Sequence, residues 1–252
     1  MVIQPLAETP VAAPGTPEAA WQRWGVTFPT FSLLGCRRLV VVAPHPDDEI
    51  LGLGGTMAIA AASGIRVDVV AVTDGEASHG GSTTVTPADL ATRRPAESLA
   101  ALAELGVPPR ITRLGIHDGA VADHEPELAS QLAEIIADDP AGTWCAAPWR
   151  NDGHPDHDAT GRACALALRD TRVRLVEYPV WMWHWAAPGD ASVPWSAARS
   201  VRLPNGIARA KRDAVARFAS QLAAPDTEPD FAPILPQHVL ARLLRATETV
   251  FV

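Results

Sequence analysis

One segment limits what this chain can fold into more than any other. Leu39-Val40-Val41-Val42-Ala43 runs straight into Pro44-His45-Pro46-Asp47-Asp48-Glu49, and Ile50-Leu51-Gly52 follow. A mostly β-branched apolar run of this kind reads as a strand buried on both faces. It ends in one imidazole and three carboxylates, and the next residues open a helix. Charge packed that densely at the end of a core strand is costly to desolvate unless a cation compensates it. A metal ion is the simplest such cation. A second dense patch, His154-Pro155-Asp156-His157-Asp158, lies about a hundred residues downstream. Two such patches point to one metal site assembled from two loops.

The intervening pattern alternates. Strands are predicted at Arg38–Ala43, Ile65–Thr73, Ile111–Leu114, Thr143–Ala147 and Arg174–Tyr178. Helices are predicted at Glu49–Ser63, Ala88–Leu105, Glu125–Asp138 and Asp156–Arg169, the first two stopped by Gly64 and Gly106. Leu128, Leu132, Ile135 and Ile136 recur at helical spacing. This alternation means an α/β fold with a mostly parallel sheet. Both charged patches then sit at the carboxyl edge of the sheet, where such folds bind ligands. Beyond Pro179, Trp181, Trp183 and Trp185 alternate as in a strand, so one face could stack on a substrate ring, with packing as the other use of those rings. A further strand is predicted at Ser200–Leu203, and helices at Gly206–Leu222 and Pro236–Thr247. Residues 1–25, with Pro5, Pro10, Pro14 and Pro17, read as a flexible or extended arm outside the core, leaving 26–252 as one domain.

Composition excludes several classes. Of 252 residues, 47% are hydrophobic, enough for a real core, and 29 acids outnumber 21 bases. Lys211 is the only lysine and no basic run occurs, so nucleic acid is not an expected partner. No apolar stretch approaches the roughly 18 residues of a membrane span, and no signal peptide is evident. Cys36, Cys145 and Cys164 are scattered, which fits a reducing, cytoplasmic setting. The bias to Arg, Ala and Pro hints at a bacterial, GC-rich genome.

Pro46 disfavours helix at His45 and can itself start one, so His45 sits at the strand end and Asp48 in the first turn. Both can aim at one point above the sheet edge. Imidazole and carboxylate suit zinc or another first-row divalent ion. His154 and His157 are three apart at a helix start and share a face; at most one need be a ligand, leaving the other free to act on substrate. Favourable charge at a helix N-terminus would explain a lone Asp, but not two His/Asp patches. Gly52-x-Gly54-Gly55 superficially suggests a dinucleotide site, yet Met57 breaks the G-x-G-x-x-G pattern and the acids would repel a pyrophosphate. His79, His117, His124, His184 and His238 have no partner motif.

These patches resemble the signatures of the PIG-L/LmbE-like family of zinc-dependent N-deacetylases, which remove acyl groups from N-acetylglucosamine conjugates and related amides. The Ala-His-Pro-Asp-Asp-Glu signature is present as Pro44 to Glu49, with Pro in place of Ala, and His-Pro-Asp-His as His154 to His157. Weaker matches are Thr73-Asp74-Gly75-Glu76, Arg94-x-x-Glu97 with Leu105-Gly106, Gly115-Ile116-His117-Asp118-Gly119, and Ser220-Gln221. The resemblance covers roughly residues 38–222. It implies a Rossmann-like three-layer αβα fold, LmbE-like, with one Zn2+ per chain, Fe2+ or another divalent ion being the alternative. By the same resemblance His45, Asp48 and His157 would bind the metal and Asp47 would be the general base. His154 would stabilise the tetrahedral intermediate or protonate the leaving amine, oriented by Asp156. Arg94 and Asp118 would contact the substrate, a small N-acylated molecule of amino-sugar type. Three protein ligands with an open position is the catalytic zinc pattern, and an adjacent non-ligand carboxylate is placed to take a proton. An amidase of thiol conjugates and a non-catalytic metal-binding module are the alternatives. A homo-oligomer is left open.

Overall fold

The computed structural model describes residues 5–137 and 142–252. In chain order the elements are α1 (Pro5–Glu8), α2 (Glu18–Trp24), β1 (Arg38–Ala43), α3 (Asp48–Ala62), β2 (Arg66–Ala71), α4 (Pro87–Glu104), β3 (Ile111–Arg113), α5 (Glu125–Ala137) and β4 (Thr143–Pro148). They continue with α6 (Pro155–Leu168), β5 (Arg174–Tyr178), α7 (Met182–Trp185), β6 (Ala198–Arg202), α8 (Asn205–Val215), α9 (Ala219–Leu222), α10 (Gln237–Leu243) and β7 (Thr247–Phe251). One sheet runs in the order β3-β2-β1-β4-β5-β7-β6. β1 to β5 are parallel, and β7 is antiparallel to both of its neighbours. The chain winds outward from β1 to β3 and resumes on the other side of β1 with β4. The switch point between β1 and β4 opens a crevice at their carboxyl ends.

β1 is buried along its whole length, as its apolar run requires. Leu39 and Val41 face a cluster that includes Ile50, Leu51 and Met57 of α3. Val40 and Val42 face the opposite cluster, with Leu128, Leu132 and Ile136 of α5 and Ala163 and Cys164 of α6. The result is the three-layer αβα arrangement. Its α3 side is close-packed because glycines let the helix approach the sheet. A Cβ on Gly52 would collide with the Tyr178 ring, and one on Gly55 would lie 2.5 Å from Leu203 Cδ2. The glycines that mimic a dinucleotide motif in the sequence are packing glycines. Tyr178 in turn donates from its hydroxyl to Val42 O, 2.7 Å away in β1.

α3 is also pinned from behind by a buried ion pair. Glu248 of β7 accepts the backbone N–H groups of Gly55 (2.8 Å) and Thr56 (2.7 Å) and the Thr56 hydroxyl (2.6 Å). Lys211 of α8 donates to Glu248 (2.6 Å) and to Leu51 O (2.8 Å). The single lysine is therefore a core residue, its charge matched by one carboxylate and one carbonyl.

Several expectations are corrected. Trp181, Trp183 and Trp185 do not lie on a strand: α7 begins at Met182, where three successive backbone N–H groups, of Val180, Trp181 and Met182, turn onto the Asp152 carboxylate. The helix expected over 206–222 breaks between Val215 and Ala219 into α8 and α9. The one expected over 236–247 stops at Leu243, and Thr247–Phe251 inserts into the sheet between β5 and β6. Residues 5–25, expected outside the core, carry α1 and α2; Trp21 is buried, donates from its indole to Trp183 O (3.1 Å) and packs edge-on against the Trp183 ring. Asp138, at the expected end of α5, lies outside the described residues. No described helix is long and apolar enough to cross a membrane.

The close approach of α3 to β5 has a measurable consequence. Gly52→Ala gains helix propensity but drives a methyl group into the Tyr178 ring; overpacking wins, at a cost of about 1–3 kcal/mol. Urea unfolding should show a lower midpoint at unchanged slope, and an unaltered or raised midpoint would refute the packing role.

Candidate metal centre

The loop between β1 and α3 delivers the first cluster. Asp47 adopts φ 135°, the only non-glycine residue of positive φ among those described. Such a conformation costs roughly 1–3 kcal/mol and persists only where the surroundings over-determine it. Here they do. The Asp47 N–H donates to Glu49 Oε2 (3.1 Å), its carbonyl accepts from Ile50 and Leu51, and its carboxylate meets Arg94 Nη2 at 3.1 Å. The twist sends the adjacent carboxylates in different directions, Asp47 towards α4 and Asp48 towards the second cluster.

Asp48 Oδ2 lies 3.1 Å from His45 Nδ1 and 3.1 Å from His157 Nε2, and accepts the His45 backbone N–H at 3.0 Å. The far nitrogen of each ring rests on another carboxylate. His157 Nδ1 is 2.9 Å from Asp152 Oδ2; His45 Nε2 is 3.2 Å from Asp156 Oδ2 and 3.1 Å from Asp118 Oδ1. With those far nitrogens as donors, the lone pairs of His45 Nδ1 and His157 Nε2 converge beside Asp48. His157 Nε2 is fully buried and makes no hydrogen bond of acceptable geometry among the described residues. An orphaned imidazole lone pair beside a buried carboxylate, both rings steered by outer carboxylates, is a donor set that fits a divalent metal ion. One ring nitrogen of His154 also lies within 4.8 Å of one ring nitrogen each of His45 and His157.

The electrostatics divide the groups. Burial opposes the charged form of Asp48, but His157 and His45 in their protonated forms hold its carboxyl well below the usual range, a role a divalent ion would take over as it displaced their inner protons. Burial pushes Asp47 up to about 7, against the pull of Arg94. Burial and the charge of Asp47 push Glu49 up to about 8. His154 is pushed down to about 3 by burial and the neighbouring imidazoles, so it is neutral. As the N-cap of α6 it accepts the Asp156 N–H on Nδ1 (3.2 Å).

Two other expected residues sit differently from their sequence reading. Asp156 touches His154 only through its backbone; its carboxylate instead accepts the N–H groups of Gly119 (2.7 Å) and Val121 (3.2 Å) and steers His45. Arg94 is buried, donating to Gly75 O (2.7 Å) and Pro46 O (2.8 Å) as well as to Asp47. Asp118 is where the edge loop should bring it, accepting the Ala77 N–H at 2.9 Å. Asp152 escapes the sequence reading, although it stands two residues before His154; an acid before glycine reads as a turn. Gln221 is fully buried with an unpartnered Oε1 and borders the same cavity as Asp47, Arg94 and His154. That cavity has a volume of about 770 Å3.

The family described as PIG-L, GlcNAc-PI de-N-acetylase, matches residues 40–168, half of the chain. The chain belongs to this family. The matched span runs from β1 through α6 and contains both clusters. A 1D-myo-inositol 2-acetamido-2-deoxy-alpha-D-glucopyranoside deacetylase of Mycolicibacterium gilvum (strain PYR-GCK) is 30% identical over 199 residues, 67% of this chain and 66% of that protein. The diacetylchitobiose deacetylase of Thermococcus kodakarensis is 33% identical over 129 residues, 50% of this chain and 46% of that protein. The chain thus spans less than two thirds of either relative. A conserved protein of Thermus thermophilus with a solved structure is 29% identical, at a TM-score of 0.54 over 73% of this chain and 79% of that one.

The outer carboxylates yield a prediction. Asp152→Asn should weaken metal binding by about 10–100-fold, since the His157 ring loses its charged anchor. Competition with a chromogenic chelator reads this directly. Affinity equal to that of the unaltered protein would remove Asp152 from the site's support.

Proposed function

We propose that this chain hydrolyses the N-acetyl amide of an amino sugar, or of a small molecule containing one, with a zinc ion held by His45, Asp48 and His157. The observation that carries the reading is the convergence of two carboxylate-steered imidazole lone pairs on Asp48. Its support from likeness is the family and the two relatives whose names give amino-sugar deacetylation. The ion, once bound, would polarise the amide carbonyl as a Lewis acid and make the attacking water more acidic.

The chain's own residues handle the protons. Water adds to the carbonyl carbon, the C–N bond breaks, and acetate and a free amine leave. Asp47 accepts a proton from the water; a buried carboxyl brought to about 7 can both take and release a proton near neutrality. Arg94 fixes its orientation and keeps it from binding metal beside Asp48. His154 has Nδ1 occupied by a backbone donor, so Nε2 carries the proton. It would donate that hydrogen bond to the tetrahedral oxygen, while the proton held by Asp47 goes on to the departing nitrogen. Asp156 positions His45. Asp118, at the cavity wall, would accept from sugar hydroxyls, and Arg94 has one donor, Nε, without a protein partner. We place the reaction in the reducing cytoplasm of a bacterial cell, in keeping with three free, buried cysteines.

Asp47→Asn tests the division of labour between the two aspartates. It should retain metal yet lose roughly a hundredfold or more in turnover, measured as acetate release from N-acetylglucosamine conjugates. Loss of metal in that variant would make Asp47 a ligand instead. Acetylated peptides or amino acids outpacing every sugar would refute the substrate class.

A further inference from the structure

We infer that the substrate carries an apolar chain in addition to its amino sugar, and that this chain lies along a wall formed by residues 231–236 with Val11 and Ala12. The inference deepens the deacetylase reading and rests on it for the identity of the sugar.

The cavity over the candidate metal centre has two unlike halves. Its floor is polar: His45, Asp47, Asp48, Asp118 and His154. Its wall is Phe231-Ala232-Pro233-Ile234-Leu235-Pro236, six successive residues without a polar side-chain atom, joined by Val11 and Ala12 from the other end of the chain. A sugar ring needs hydrogen-bonding partners for its hydroxyls, and this wall has none to offer from its side chains. A cavity of about 770 Å3 also exceeds what one amino sugar fills and falls among drug-sized pockets of roughly 300–1,000 Å3.

The wall is built and held. Glu228 accepts from the Ser82 hydroxyl and from the Thr83 N–H (2.7 Å) and hydroxyl (2.6 Å), clamping the segment to the loop before α4. The Phe231 ring stacks on His79, centroids 5.2 Å apart and planes 2° from parallel. The Leu235 N–H donates to Gln221 O at 2.9 Å. On the other side, the buried Arg242 donates to Thr16 O (2.5 Å) and Pro14 O (3.3 Å), and His184 Nε2 meets Pro10 O at 3.0 Å. This polar anchoring fixes the segment beside the cavity; Leu235 is itself in the main core cluster and Val11 packs against it. Phe231 and Ile234 remain half-buried and join neither core cluster. Apolar surface kept in a cavity beside a reactive centre is covered at a gain when an apolar ligand group enters. The wall offers an anionic group no partner: Arg94 is the one Arg or Lys among the lining residues, and its Nη1 and Nη2 are bonded to Asp47 and two carbonyls.

The chain could be attached to the sugar oxygen or could be the acyl group itself, and ligands without a scissile amide distinguish the two. Calorimetric titration of the full, metal-loaded protein would compare octyl with methyl β-D-glucoside, and octanoate with acetate. One octyl-type ligand should bind about tenfold or more tighter than its short counterpart. Ile234→Ser and Phe231→Ser, changes at half-buried positions, should each cut that gain to about threefold or less. Equal affinities in both pairs, or a gain that survives both substitutions, would overturn the inference. These are binding measurements, so failure of the deacetylase reading appears separately, as absent acetate release.

Discussion

A buried carboxylate shared by two imidazoles organises this molecule. Asp48 is almost inaccessible, and its oxygen stands 3.1 Å from a nitrogen of His45 and of His157. Such a cluster is costly to bury unless most of the polar atoms around it find partners. The rest of the site follows from that demand. Asp152 and Asp156 take the outer ring nitrogens, and each is itself tied down by backbone N–H groups from other loops. Through Asp152 the requirement reaches the turn that starts α7, and through Asp156 the edge loop at Gly119. The crevice between β1 and β4 is thus lined by loops that the charge cluster has fixed.

The neighbouring Asp47 shows how one residue's backbone can separate two chemistries. The φ of 135° turns Asp47 aside, and the guanidinium of Arg94, itself buried, fixes it there. The strain of roughly 1–3 kcal/mol sits at the start of α3, a helix packed and hydrogen-bonded along its middle. Gly52 and Gly55 hold it against Tyr178 and Leu203, while Glu248 and Lys211 lock its middle. Packing far from the reacting atoms is what keeps the two acids distinct.

Both ends of the chain converge on the cavity. The segment before α2 is held by Arg242 of α10 and His184 of α7, and with residues 231–236 it gives the polar floor an apolar wall. The parallel core supplies the cluster of imidazoles and carboxylates that fits a metal ion; these peripheral segments wall the cavity above it.

The sequence by itself determined the central strands, the helices that follow them and the two His/Asp clusters. β1, β5 and the helix starts at Asp48 and Pro155 were legible to within a residue or so, because burial on both sheet faces forces continuous apolar runs and proline with acids marks helix starts. That the two clusters meet was legible because few arrangements tolerate such charge density at a strand end. Only the tertiary structure decided the rest. Thr247–Phe251 is a strand paired between β5 and β6, a place its β-branched residues permit but cannot by themselves specify. The tryptophans of 181–185 are helical or in a turn because Asp152 captures three N–H groups there. Asp156 serves His45, Arg94 serves Asp47, and Trp21 is core, because these are contacts across long sequence separations. Local periodicity records which face of an element is buried; it carries no record of which distant carboxylate or ring arrives to meet it.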